Sequence, residues 1–278
     1  MKHSIKYFVA FLFALCLNTL YAQNEEPADT TYTIGNYSET YADSIQLSQP
    51  LNKAYADSAY AAENYSAAAA VYAALLQQGE SPDLYYNLGN CYYKTDSLAQ
   101  AVLFYERAAL LQPGNSDIRF NLDLARSKTI DQITPESEMF FITWINNLID
   151  LLGMDAWARV AAVSFLLACI LVLLFFLGNK IWIKKTGFFG AALMFVVMIL
   201  ANIFARVQYN DLNHRTAAIV MSSSVVVKST PNESGTDLFV LHEGTRVEIV
   251  DNTMREWKEV KIADGKRGWM PAKDMEVI

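Results

Sequence analysis

The residues best placed to do chemistry in this 278-residue sequence sit in one short stretch, DLYYNLGNCYYK, Asp83 to Lys94. Within about three helical turns it gathers a thiol, two amides, four phenols, a carboxylate and an ammonium. Cys91 acts as a nucleophile only with a base beside it, because the thiolate is the reactive form. The sequence has three histidines, His3, His214 and His242, and none lies near Cys91 along the chain. The other cysteines, Cys16 and Cys169, fall in apolar stretches, so the sequence holds neither a disulfide framework nor metal-ligand spacing. No phosphate loop, paired-carboxylate motif or serine-hydrolase elbow occurs. Cys91 therefore reads as a structural thiol on a helix face, and the chain as a non-enzyme with no cofactor.

The elements that must position this stretch follow from how apolar residues are distributed. Hydrophobic residues make up 53% of the sequence, gathered in blocks near residues 5–17, 158–177 and 187–205 rather than in one periodic core. The formal charge of −7 and the lack of a basic face argue against nucleic acid as a partner. Lys2 and Lys6 ahead of the short apolar core Tyr7–Leu17, then NTLYA, predict a signal peptide over 1–22. Losing it would take the charge to −9, since both lysines leave with it. Residues 23–50, rich in Thr, Ser, Tyr, Asp and Glu, predict a flexible lead-in.

From Leu51 the pattern becomes helical and repetitive. Tyr85, Leu88, Gly89, Tyr92, Ala101, Tyr105, Ala108 and Pro113 fall at spacings that resemble the tetratricopeptide repeat, a 34-residue helix–turn–helix. Small Gly89 and Ala101 let two helices approach, Tyr92 and Tyr105 fill the seams, Thr95–Ser97 makes the turn, and Pro113 stops the second helix. A degraded copy lies 33 residues earlier, with Ala56, Ala68 and Tyr72 in the matching places. A partial copy follows, where DIRFNL at Asp117–Leu122 echoes DLYYNL at an interval of 34. Residues 51–130 thus predict two hairpins and a capping helix. The resemblance implies that first helices line a groove, and by position it assigns Asp83, Tyr86, Asn87, Asn90, Tyr93 and Lys94, with Asn121 from the cap, to binding an extended protein segment. An ordinary solvated helix face fits the same residues.

Residues 138–152, EMFFITWINNLIDLL, place Phe141, Trp144 or Ile145, Leu148 and Leu152 on one face, which suits either an interfacial helix or a packing helix. The apolar runs 158–177 and 187–205 predict two transmembrane helices. Between them 178–186 carries Lys180, Lys184 and Lys185 without an acid, which predicts a cytoplasmic loop and puts both flanking domains outside. The signal peptide predicts the same orientation.

After a polar link at residues 208–216, residues 217–278 break into short β-like runs. Gly244, Trp257, Gly265, Gly268 and Trp269 carry a resemblance to bacterial SH3-type domains, with glycines expected at tight turns and the tryptophans at opposite ends of a small core. The sequence thus predicts a multi-domain fold: α-helical tetratricopeptide-repeat hairpins, two transmembrane helices and a C-terminal small all-β SH3-like barrel. This order resembles the BatE-type proteins of the Bacteroides aerotolerance operon. The resemblance implies an inner-membrane scaffold whose periplasmic repeats bind other membrane proteins of the operon in an envelope-stress complex. A cell-wall (peptidoglycan) sensor acting through the SH3-like domain is the alternative.

Overall fold

The computed structural model describes residues 51–136 and 139–278, so the predicted signal peptide, the lead-in and Glu138 lie outside the described residues. Two helical hairpins come first: α1 (Lys53–Ala61) with α2 (Tyr65–Leu76), then α3 (Pro82–Lys94) with α4 (Leu98–Leu111). A single helix, α5 (Ser116–Arg126), follows. Asparagine side chains cap several of these starts: Asn52 accepts from Tyr55 N–H, Asn64 from Ala67 N–H, and Asn115 from Asp117 and Ile118 N–H. Each hairpin turns through one non-glycine residue in the left-handed region, Glu63 at φ 59° and Asp96 at φ 60°, spaced by the same 33 residues as the sequence echo. The close approach of α3 and α4 needs Gly89, where a Cβ would stand 2.7 Å from the buried Tyr105 ring. Tyr85, Leu88, Ala101, Tyr105 and Ala108 are buried, while Tyr92 is half-buried and stacks on Phe104 at 5.4 Å. Pro113 lies two residues past the end of α4.

The next helix, α6, spans Phe140–Ile149, and its predicted apolar face divides. Ile149, Leu148 and Leu152 pack against Trp157, Phe204 and Ala201, whereas Phe140, Phe141 and Trp144 remain exposed. Then come α7 (Met154–Leu177) and α8 (Ile181–Asn213), both long and apolar enough to cross a membrane. They are longer than the sequence suggests. The connection shrinks to residues 178–180, so Lys184 and Lys185 sit in the first turns of α8 rather than in a loop. The expected polar link begins as helix too, because α8 carries through Gln208 to Asn213. Asn202 donates to Met198 O within α8 at 2.8 Å, so its amide serves its own helix rather than its neighbour.

The C-terminal part is an all-antiparallel sheet of seven strands: β1 (Ala217–Val220), β2 (Ser224–Lys228), β3 (Asp237–His242), β4 (Arg246–Asp251), β5 (Trp257–Lys261), β6 (Arg267–Pro271) and β7 (Met275–Val277). Their order, β3-β2-β6-β5-β4-β1-β7, leaves β3 and β7 as free edges, so the sheet is open rather than the closed barrel expected. Bulges between Val227 and Lys228 and between Ile249 and Asp251 bend it. Gly244 and Gly265 turn the chain at φ 82° and 87°, but Gly268 lies within β6, where its missing Cβ makes room for Val227. The core is aliphatic, built from residues such as Val220, Val227, Leu241, Val260 and Met270; Trp257 and Trp269 are only half-buried and do not cap it.

The hairpins and the sheet share a core. On β1, Ala218 and Val220 point into the sheet while the alternate residue, Ile219, packs among Ala101, Leu103, Tyr105 and Leu122. As a result α4 is buried from Ala101 through Ala108, including Glu106 and Arg107. Arg107 Nη2 donates to Val277 O at 2.6 Å and to Glu276 Oε1 at 3.0 Å, and its guanidinium lies 5.5 Å from the Phe104 ring centroid. Glu106 accepts from Arg126 and lies 3.5 Å from Arg246 of β4. A third fastening joins Arg215, beyond α8, to Glu80 ahead of α3 at 2.6 and 2.8 Å. Arg107→Ala strands Glu276 and the Val277 carbonyl, and is expected to cost about 3–5 kcal/mol in denaturant unfolding of the detergent-solubilised full chain. Arg107→Met with Glu276→Met removes both charges and should recover most of that loss. Equal losses for the single and double variants would refute a docking role for the pair.

Candidate functional site

The predicted groove residues do not all converge. On α3, Tyr86, Asn90 and Tyr93 recur at one-turn spacing and line a cavity of about 300 Å³ together with Lys94. Asn121 and Leu124 enter from α5, Tyr60 from α1, and Tyr105 reaches through from α4. Asp83, exposed in the first turn of α3, and Asn87, roughly 100° around the helix from Tyr86, fall outside the cavity.

Hydrogen bonds organise the floor. Tyr105 O–H donates to Asn90 Oδ1 at 2.7 Å, and Asn121 Nδ2 donates to the same oxygen at 3.1 Å and to Tyr86 Oη at 2.8 Å. Those bonds use the acceptor of Asn90 and the donor of Asn121. Among the described residues they leave Asn90 Nδ2 as a free donor and Asn121 Oδ1 as a free acceptor, the pair of functions a peptide main chain offers in reverse. The rim is cationic: Lys94 is exposed, and Lys128 Nζ sits 4.2 Å from the Tyr93 ring centroid. Burial pushes the Tyr105 hydroxyl well above the ordinary phenol value, so it stays a proton donor to Asn90.

Tyr60 and Leu124 were within reach of sequence reasoning. Tyr60 precedes Tyr93 by 33 residues and Leu124 follows Asn90 by 34, so the repeat interval itself marks them. The same arithmetic pairs Asn87 with Asn121, yet only Asn121 meets the cavity.

Cys91 is 1% exposed, and burial pushes its thiol up to about 12, far from a thiolate at neutral pH. No group of His, Cys, Asp and Glu suited to a metal exists among the described residues. His242 faces Asp131, with Nδ1 2.8 Å from Oδ1. Asp131 Oδ2 accepts from His242 N–H and from Thr245 O–H, each at 2.7 Å. Since Thr245 gives its proton to the carboxylate and not to the imidazole, the trio lacks a nucleophile paired with a base. It ties the segment after α5 to the β3–β4 turn.

That tie has a pH signature. Burial alone would raise the Asp131 carboxyl, but the bonds from His242 and Thr245 outweigh it and hold the group below its ordinary value of 3.8. The ionised carboxylate is thus favoured by folding, so its contribution is full above the unfolded-state value and fades as pH falls through the lower folded-state value. Asp131→Asn should lower the thermal midpoint at pH 6 and flatten its decline between about pH 5 and 3. An unchanged pH profile would show the tie to be thermodynamically silent.

The chain matches no protein-family model and no curated protein, so the chemistry of the groove carries the functional reading by itself.

Proposed function

We propose that the protein is a non-enzymatic scaffold of the inner membrane, of the BatE type, whose helical groove binds an extended segment of another membrane protein. The observation that carries this is the groove floor, where four tyrosines surround an amide donor and an amide acceptor left free by their own network. Aromatic faces grip side chains of varied type, while the amide pair reads the main chain, so the site selects an extended conformation. The tetratricopeptide reading is supported by left-handed turn residues at an interval of 33 and by the Gly89–Tyr105 contact. An SH3-type origin of the sheet rests on its turn glycines and strand count, with the barrel left open.

In this reading α7 and α8 cross the bilayer as a hairpin. Lys180, Lys184 and Lys185 mark the cytoplasmic end, and both folded parts lie in the periplasm. Aerotolerance and envelope stress then describe the complex the scaffold serves, with oxidant chemistry left to its partners, because Cys91, the thiol on the groove helix among the described residues, is buried.

A photo-crosslinking amino acid placed at Lys94 in cells should capture a membrane protein through an extended segment, as read by mass spectrometry of the joined peptide. Asn90→Ala with Asn121→Ala should reduce that capture about tenfold or more, the effect of losing one or two net hydrogen bonds. A cysteine at Asp83 should label with an impermeant maleimide from the periplasm, and one at Lys184 only after the membrane is opened. Sedimentation with peptidoglycan that survives the groove changes and is lost on Trp269→Ala would move binding to the sheet and favour the cell-wall reading.

A further inference from the structure

Helix α6 is held only at its end. Ile149 and Leu148 pack with Trp157 of α7 and Phe204 of α8. Ile149 O also accepts from Trp157 Nε1 at 2.9 Å and from Gln208 Nε2 at 2.8 Å. Those two donors flank the apolar runs, since Trp157 stands just before Ala158 and Gln208 three residues after Ala205. The last turn of α6 therefore lies within about 5 Å of the hydrocarbon edge, measured along either spanning helix. The helical body rests on the same turn from the other side. Gly114, between α4 and α5, has no room for a Cβ against Leu151 O, and Arg119 of α5 lies 3.6 Å from Asp150.

Ahead of that turn α6 is covered by neither neighbour: every residue from Phe140 to Asn147 is exposed, Phe140 at 86% and Trp144 at 66%. A helix clamped between a body and a spanning pair, then free of both, leaves sideways along their boundary. Its faces differ in chemistry. At about 100° per residue, Thr143, Asn146, Asn147 and Asp150 share one narrow arc, and Phe141, Ile145 and Leu148 lie opposite. The contacts of the last turn fix which arc looks where. Leu148, on the apolar arc, packs toward Trp157 and Phe204 of the spanning pair. Asp150, on the polar arc, meets Arg119, and Asn147 lines a cavity shared with Arg119, Leu122 and Asp123 of the body. The apolar arc is thus turned to the membrane side and the polar arc to the body.

We infer that α6 is an interfacial arm. It lies along the leaflet on the body's side, with Phe141, Trp144 and Ile145 in the acyl boundary and Thr143, Asn146 and Asn147 toward water. The inference rests on the membrane reading above. Lipid is the occupant because the arm leaves level with the ends of both apolar runs, so its apolar arc meets the acyl chains around α7 and α8. Trp144, on the flank of that arc, suits headgroup level. No charged side chain occurs from Phe140 to Ile149, so apolar burial holds the arm and zwitterionic lipid is enough. An arm at an angle to the spanning pair also stops the body from turning about it, which fixes the direction the groove faces.

The test uses the full chain, its native cysteines changed to serine, spin-labelled at one exposed position at a time in phosphatidylcholine vesicles. Collision with oxygen, which concentrates among acyl chains, against a nickel complex confined to water gives the depth of each label. Labels at Phe141 and Ile145 should lie about 5–10 Å into the headgroup–acyl boundary. A label at Asn146 should remain in water. Leu166, on the exposed side of α7, is the reference for the spanning pair. If Phe141 and Ile145 are as open to nickel as Asn146 while Leu166 is deep, the arm is refuted and the membrane reading stands. If Leu166 is itself in water, both fall. Labels at Phe141 and Ile145 that neither reagent reaches would put protein, a second copy or a partner, on the apolar arc and would also overturn the inference.

Discussion

Arg107 is a guanidinium buried in the middle of a helix, and most of the architecture follows from what that requires. A buried charge is tolerable only when paired and hydrogen-bonded. Here the partners come from the last residues of the chain, Glu276 and Val277, with Phe104 and Tyr85 beneath the guanidinium plane. Only Nη2 finds these partners, while Nε and Nη1 stay buried without a hydrogen bond; the Nη2 bonds hold β7 against α4, and β7 brings β1, whose Ile219 completes the hairpin core. With the far side of α4 closed by the sheet, the groove floor rests on a helix that has no room to shift. Tyr105 holds Asn90 from that helix, so the docked sheet and the groove network are successive layers of one packing arrangement.

The hairpins were legible because their constraints are local. A glycine where two helices meet, aromatics in the seams and turn residues at a fixed interval all leave marks at constant spacing. Position in the repeat picked out Tyr86, Asn90, Tyr93, Lys94 and Asn121, together with Asp83 and Asn87 that miss the cavity, and the interval also marks Tyr60 and Leu124. The docked sheet was harder to see, since Glu106-Arg107 reads as a solvated pair until something covers it. In burial β1 stands apart, covered at three consecutive positions where β2 and β6 alternate, but its apolar run AAIV gives no warning of this, since LFVL of β3 is as apolar and largely exposed. The second cover of β1 is α4, whose residues meet Ile219. His242 eluded the sequence for a related reason, as Asp131 is 111 residues away and no local pattern announces the pair. The tryptophans misled in the other direction, because aliphatic residues are enough to fill so thin a core.

Between the groove and the apolar helices the connections are short and polar. Gln208 ties α8 to the end of α6, Arg215 ties the chain beyond α8 to Glu80, and Glu80 accepts from the Tyr85 hydroxyl next to the groove helix. A proposed partner in the groove would thus act on one body rather than on beads joined by a linker. For a scaffold this matters, since a groove held at fixed height and angle restricts which segment of a neighbouring membrane protein reaches it.

The claim on which the rest stands is that hairpins and sheet form a single rigid body. Pulsed electron–electron resonance between spin labels at two exposed positions, Asp117 on α5 and Lys273 beyond β6, measures this directly in the full chain with its native cysteines changed to serine. A single narrow distance distribution that broadens on Arg107→Ala is the expected result. A broad or multiple distribution in the otherwise unaltered protein would contradict the account.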